Sequence, residues 1–196
     1  MRARELTSED VLSFGAALAA RYGASIQQKV GNPVMEVVAS LLQETGIGQK
    51  QDFMSNYCTT LGRTIYVNFR LGVEDASDVT LASQVAVLCH EATHVVQFDR
   101  GAFTFTWLYL TDTEQRSILE AEAYVQQSLF EYLYAGQMMS PDDVAGWMGS
   151  YGVHPQDATL AKQLVESAQA AVRAGGVVPG PAAWAFDFLK GRGVFE

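Results

Sequence analysis

The sequence predicts an α+β protein that is predominantly α-helical, with a short β-hairpin or small sheet before its central helix. Helical periodicity bounded by capping residues recurs along most of the chain. Residues 53–69 change to the alternating pattern of β-strands. A length of 196 residues with 48% hydrophobic side chains is enough for one ordinary core. We expect residues 1–175 to form a single domain, and residues 176–196 to form a tail with a short helix.

The composition excludes some classes of partner. A net charge of -9 and a pI near 4.7 argue against nucleic acid or an anionic membrane surface as the main partner. The first twenty residues carry acidic groups and only a short apolar run, which is not a signal peptide. The most apolar run, residues 103–110, is far shorter than a membrane span. A cytoplasmic location is the default expectation, although signal-free export or association with a virion leaves no trace in a sequence. No feature of the sequence indicates an oligomeric state.

The first two helices are predicted by caps and apolar stripes. Thr7 or Ser8 can cap a helix over residues 8–22, whose first turn is acidic. Asn32-Pro33 opens a second helix that ends near Gly46. The periodicity assigns its buried face to Val34, Val37, Val38 and Leu41.

The strands should lie within residues 53–69. Phe53–Thr60 and Arg63–Phe69 read as two strands joined at Leu61-Gly62. Such a hairpin immediately precedes the central helix, and an edge strand there could pair with an extended peptide. A purely structural hairpin has the same sequence pattern.

Further helices are predicted toward the C-terminus. Residues 103–110 form either a strand or an apolar helical turn, which serves as core or as the wall of a substrate pocket. Asp112 can cap a long helix over Thr113–Tyr134 that stops at Gly136. Two more helices span residues 140–151 and 155–174. Cys58 and Cys89, the two cysteines of the chain, are expected to be reduced thiols.

The central helix carries an H-E-x-x-H motif. Residues 80–98 contain no Gly or Pro, and Ser77 or Thr80 can cap the start of this helix. His90 and His94 are four residues apart, so they share one helix face and can bind one metal ion. Glu91 lies beside that ion, where it can take a proton from a water molecule.

A catalytic zinc ion usually has a third protein ligand. The extended motif with a downstream histidine is absent, because Gln97 and Arg100 stand at the positions of its Gly and last His. The remaining candidates are Glu114, Glu120, Glu122, Cys58 and His154. Helical periodicity favours Glu122, because that residue falls within an apolar stripe, where a buried carboxylate needs a cation.

The segments His90–Gln97 and Leu119–Tyr124 together resemble the glutamate-ligand zinc metallopeptidases, the gluzincins. The likeness spans about residues 62–130 and is closest to small bacterial and phage domains with H-E-x-x-H-x-x-Q followed by E-x-E-A-Y or E-x-E-A-D. It implies a minimal zincin-like domain in which Glu120 is the third zinc ligand and Ala123 packs on the motif helix. Tyr124 stands where this family commonly has Asp or Asn, so the partner of a ligating histidine differs here.

The resemblance implies hydrolysis of a peptide bond in a peptide or protein substrate. Zn²⁺ would be held by His90, His94 and Glu120, and Glu91 would act as the general base. The oxyanion needs a further donor, for which the candidates are Tyr124, Tyr151 and His154. The alternative function is a catalytically silent zinc-binding structural or interaction protein, such as a virion or effector component.

Overall fold

The computed structural model describes residues 3–44, 50–74 and 79–195. Its helices are α1 (Ser8–Tyr22), α2 (Pro33–Glu44), α3 (Lys50–Asn56), α4 (Leu81–Arg100), α5 (Ala102–Thr111), α6 (Thr113–Ala135), α7 (Pro141–Met148), α8 (Pro155–Arg173) and α9 (Pro181–Gly191). A 3-10 turn, Gly149–Tyr151, follows α7. The strands are β1 (Ser25–Gln28), β2 (Thr59–Leu61) and β3 (Thr64–Val67). The predicted class, predominantly α with a small sheet before the central helix, is confirmed.

The sheet has the strand order β1-β3-β2. β2 and β3 form the predicted antiparallel hairpin, in which Thr60 pairs with Ile65. Gly62 has a φ of 62° in the two-residue turn, a conformation that glycine adopts without strain. β1 pairs in parallel with β3 and was not predicted, because its sequence S-I-Q-Q lacks apolar alternation and is largely exposed.

The predicted strand over residues 53–60 is wrong in its first half. Residues 53–56 are the last turn of α3, and the strand begins only at Thr59. Met54 on this helix is buried in a small cluster with Met35 and Tyr66. The Lys29 ammonium donates to the carbonyls of Phe53 (2.6 Å) and Tyr57 (2.9 Å) at the end of the helix. A cation is favourable there because terminal carbonyls lack helical partners.

The predicted buried face of α2 is wrong at three of its four positions, whereas the fourth, Val38, is partly buried against the cluster of Met35. Val34, Val37 and Leu41 are 47%, 59% and 56% exposed, whereas Met35 and Ala39 are fully buried. The helix is apolar around most of its circumference, so its neighbours decide which side is covered. Those neighbours, α3 and β3, lie on the side of Met35. The predicted helix end at Gly46 lies outside the described residues.

The two helices that carry the motifs begin and end where their caps predict. Thr80 accepts from the Ser83 N–H at the start of α4, and Asp112 accepts from the Gln115 N–H at the start of α6. The alternative cap, Ser77, lies outside the described residues. Residues 102–111 form a helix, so the helical alternative for this stretch is correct. No described helix has the length and apolar character needed to cross a membrane.

The core is centred on α4 and α6, which form the most extensive helix pair. α1 packs on α4 through Phe14 and Leu18, both of which are fully buried. The C-terminal helix α9 joins the same core through Leu189, and its Trp184 ring lies 5.5 Å from Phe14. This packing fixes the α4–α6 interface in the middle of the protein.

A buried carboxylate joins the two ends of the chain. Asp10 is 2% exposed and accepts hydrogen bonds from Arg4 (2.8 Å), Arg192 (3.2 Å) and the Thr7 N–H (3.0 Å). The hydrogen bond from Arg4, opposed by burial, holds the pKa of Asp10 well below its usual range. Its stabilising contribution is complete above the ordinary pKa near 4 and is lost as the pH falls below it.

Replacing Asp10 by Asn should lower the free energy of unfolding at pH 7 by roughly 1–2 kcal/mol, a modest value because solvent screens the partly exposed Arg4. The difference from the wild type should shrink toward pH 3, because the Asp10 carboxyl of the unfolded chain then gains a proton while that of the folded protein, with its lowered pKa, stays ionised. Urea unfolding at both pH values measures this. Glu5→Gln, at an exposed position in the same segment, is the control and should unfold like the wild type. An equal loss for the two variants would contradict the assignment.

Candidate metal centre

Helix α4 presents two buried imidazoles to one point. His90 and His94 are 5% and 6% exposed, and their Nε2 atoms lie 3.2 Å apart. The four-residue spacing places them one turn apart on the same face. Because both nitrogens point at the same space, a shared cation is the simplest partner for their lone pairs.

Helix α6 brings one carboxylate to that point. The Glu120 oxygens lie 3.4 Å from His90 Nε2 and 3.6 Å from His94 Nε2, and the residue is 1% exposed. One donor atom from each of the three residues falls within 4.8 Å of the other two. Glu120 Oε2 is buried without a hydrogen-bond partner among the described residues. Nitrogen and oxygen donors converging in this way are positioned to hold a metal ion.

The three groups are strongly coupled electrostatically. Burial disfavours their charged forms, but the Glu120 carboxylate raises the pKa of His94 above its ordinary value. In the same way, His94 and His90 outweigh burial and hold the pKa of Glu120 below its usual range. The carboxylate therefore stays ionised in the interior, where a bound cation gains most from it.

Gln97 fixes the tautomer of His94. The Gln97 amide NH₂ donates to the Leu119 carbonyl (2.9 Å) and to Glu122 Oε2 (3.0 Å), which leaves its oxygen as an acceptor. That oxygen lies 2.8 Å from His94 Nδ1, so Nδ1 carries the proton and donates it. In the neutral form of His94, the Nε2 lone pair then faces the centre, as metal ligation requires. Gln97, which stands where the extended motif has Gly, thus orients one of the two histidines.

Glu122 does not belong to the centre. Its side chain is 46% exposed and lies 3.5 Å from Arg100, besides accepting from Gln97. The apolar-stripe argument for this residue fails because its carboxylate reaches polar partners at the edge of the helix interface. Among the other candidates, Glu114 and His154 are exposed. Cys58 donates instead to Asn68 Oδ1, at 3.2 Å, and both cysteines are free thiols as predicted.

Tyrosines surround the ligands. The Tyr109 hydroxyl donates to Glu120 Oε1 at 2.5 Å, and burial next to this carboxylate raises the pKa of Tyr109. The Tyr124 ring packs edge-on against His90 at 4.6 Å, and its hydroxyl lies 2.9 Å from that of Tyr151. Tyr124 therefore supports His90 by packing, whereas His90 Nδ1 has no hydrogen-bond partner among the described residues.

Glu91 is held next to the centre by the edge strand. The Thr60 hydroxyl, on β2, donates to Glu91 Oε2 at 2.7 Å, and Glu91 is 4% exposed. The sequence around Thr60 carries no signal for this contact, because the contact joins residues that are distant in the chain.

A cavity of about 400 Å³ opens beside these residues. The lining includes Glu91, Glu120, His90 and His94. Residues of β2, of α5 and of the turn at Tyr151 line the cavity as well. Within residues 103–110, Phe105 and Leu110 line this cavity. That the cavity is a substrate pocket stays a prediction. The Phe103 side chain lies outside the described residues.

Two buried cations hold the cavity walls. Lys29, with no exposed surface, donates to Phe53 and Tyr57 and also to Thr59 Oγ1 (2.7 Å), and burial lowers its pKa to about 8. Arg116, one turn before Glu120, donates to the carbonyls of Tyr109 (2.6 Å) and Tyr151 (2.7 Å). Each cation thus fixes backbone that carries cavity-lining side chains.

Comparison with known proteins identifies no relative: no family model, curated protein or solved structure matches this chain. The assignment of a candidate metal centre therefore rests on the positions of the three side chains alone.

Replacing Glu120 by Gln should lower the affinity for a divalent metal ion at least about 100-fold, because the buried anionic ligand is lost. Glu122→Gln tests the competing candidate on the same helix and should retain the metal, because the new amide keeps an oxygen that can accept from Gln97. Elemental analysis after dialysis against metal buffers measures occupancy, and the metal-induced rise in unfolding temperature measures it independently. Retention by the Glu120 variant with loss by the Glu122 variant would reverse the assignment.

Proposed function

We propose that this protein is a zinc-dependent metallopeptidase that hydrolyses peptide bonds in a peptide or protein substrate. Zinc suits two imidazole nitrogens and one carboxylate oxygen, the donor set of many catalytic zinc sites. His90, His94 and Glu120 would hold it. The resemblance of the two motifs to those of gluzincins supports the same function.

The observation that carries the proposal is the cavity beside the three ligands. Structural zinc sites are usually closed by four protein ligands, whereas catalytic sites keep a position open. Here three donors converge, and a cavity of about 400 Å³ adjoins them with Glu91 in its wall. This arrangement favours an enzyme over the catalytically silent zinc-binding alternative.

The proposed chemistry assigns each residue a task. A zinc ion held by the three ligands would act as a Lewis acid on water and on the scissile carbonyl. Glu91 takes the proton of the attacking water and passes it to the leaving amine. The Thr60 hydroxyl keeps the Glu91 carboxylate in place through its 2.7 Å hydrogen bond. Gln97 keeps His94 in the ligating tautomer.

The edge strand offers a site for the substrate backbone. β2 pairs only with β3 among the described strands, so its other edge is available for main-chain hydrogen bonds. Thr59, Thr60 and Leu61 line the cavity. A peptide added to this edge would pass Glu91, because Thr60 contacts that residue.

Tyr151 is the best-placed donor for the oxyanion. It lines the cavity, and its hydroxyl meets that of Tyr124. Burial next to Glu120 raises its pKa well above the ordinary value, so the hydroxyl stays protonated and can donate. His154 is exposed at the start of α8, outside the cavity.

Glu91→Gln should leave zinc bound at the wild-type level and lower peptide hydrolysis by about 10³-fold, because an amide cannot accept the water proton. Glu114→Gln, an exposed glutamate on α6, is the control and should retain full activity. Mass spectrometry of a broad peptide library, together with zinc content, measures both properties. Unchanged hydrolysis by the Glu91 variant would refute the proposed mechanism.

Tyr151→Phe should lower kcat by about 10²-fold with a smaller change in KM, because the lost hydroxyl would act only on the developing oxyanion. Tyr57→Phe is the matched control, since the Tyr57 ring also lines the cavity, 5.8 Å from that of Tyr151. Steady-state kinetics on a cleaved peptide measure the effect. A loss confined to KM would assign Tyr151 to substrate binding instead.

A further inference from the structure

We propose that the cavity selects a bulky, uncharged apolar side chain next to the scissile bond. This inference rests on the proposed peptidase function, whose substrate class it specifies. It follows from the shape, the polarity and the charge balance of the walls around the metal centre.

Apolar side chains from three helices line the cavity. Val38 and Phe53, from α2 and α3, line one part, and Phe105 and Leu110, from α5, line another. The volume of about 400 Å³ admits a large side chain with its flanking backbone. Burying a side chain of leucine size against such walls favours binding by about 10- to 100-fold.

Outside the metal ligands and Glu91, the described residues that line the cavity offer no unpaired charge to a charged substrate side chain. Apart from the ligands and Glu91, Arg116 is the one charged group among these residues. Each Arg116 nitrogen donates to a carbonyl, Nη2 to that of Leu110 (3.0 Å) besides the bonds to Tyr109 and Tyr151. The residue is 5% exposed. An acidic substrate side chain would therefore lose hydration without gaining an unpaired cation from these walls. A basic one would find only the carboxylate of Glu91, which the proposed mechanism uses for the water proton.

Exposed apolar side chains also surround the mouth of the cavity. Leu61 and Leu110 line the cavity, yet they are 46% and 55% exposed. Trp107, on the same helix as Leu110, is 60% exposed. These side chains can cover further apolar residues of an extended substrate, which fits unfolded apolar segments better than charged surface loops.

The test uses quenched fluorescent peptides that differ only in the residues flanking the bond: Leu, Phe, Gly, Asp or Lys. Cleavage is followed with the zinc-loaded wild type, and binding with the zinc-loaded Glu91→Gln variant. The Leu and Phe peptides should exceed the Asp and Lys peptides by at least about 10-fold in both measurements. Equal or tighter binding of charged peptides, or binding of none, would overturn the selectivity. Tight binding of apolar peptides without cleavage would support it while refuting the peptidase function.

A substitution at the mouth sharpens the test. Leu110→Lys should shift the ratio of acidic to apolar peptide binding by at least about 10-fold toward the acidic peptide, because it supplies the missing cation. Leu164→Lys, at a position 37% exposed on α8 and outside the cavity, is the control and should leave the ratio unchanged. An unchanged ratio in the Leu110 variant would show that this wall does not set selectivity.

Discussion

The burial of one carboxylate between two imidazoles, across the interface of α4 and α6, is the interaction on which the site depends. Glu120 is almost completely buried, and an ionised carboxylate in the interior is costly without positive charge next to it. His90 and His94 supply that charge when protonated, and a metal ion supplies it more fully. The cost explains why Tyr109 donates to one oxygen of Glu120.

The rest of the fold can be understood as support for that interface and for the cavity beside it. α1 and α9 cover α4, while the hairpin brings Thr60 to Glu91. Lys29 and Arg116 bind backbone carbonyls rather than carboxylates, and these carbonyls belong to the segments that form the walls. Buried cations used in this way satisfy helix ends and fix loops, so neither presents an unpaired positive charge to the part of the cavity lined by the described residues.

Most helices and the two motif histidines could be predicted because their signals are local, whereas α3 was missed and partly assigned to a strand. Thr80 and Asp112 cap their helices as expected, and the spacing of His90 and His94 places both on one face. Long-range packing was harder to predict. The α2 face was misassigned, since the apolar residues of this helix span more than half of its circumference and do not reveal which part its neighbours cover.

The choice of the third ligand shows the same limit. Periodicity favoured Glu122 because that residue follows the apolar stripe, whereas the family resemblance implied Glu120, the residue that lies at the histidines. Glu120 and Glu122 point to nearly opposite sides of α6. The side buried around Glu120 carries mostly polar and small residues, so an apolar stripe does not mark it. Thr60 and Tyr109 had no local signal, because their roles depend on strand register and on the packing of α5 against α6.

X-ray absorption spectroscopy at the zinc edge of the metal-loaded protein tests the proposed centre most directly. We expect nitrogen and oxygen scatterers alone at about 2.0–2.2 Å, with the outer-shell pattern of two imidazoles. A sulfur scatterer near 2.3 Å would place Cys58 or Cys89 on the metal, and a zinc ion without imidazole scattering would remove His90 and His94 from it. Either result would contradict the centre formed by His90, His94 and Glu120.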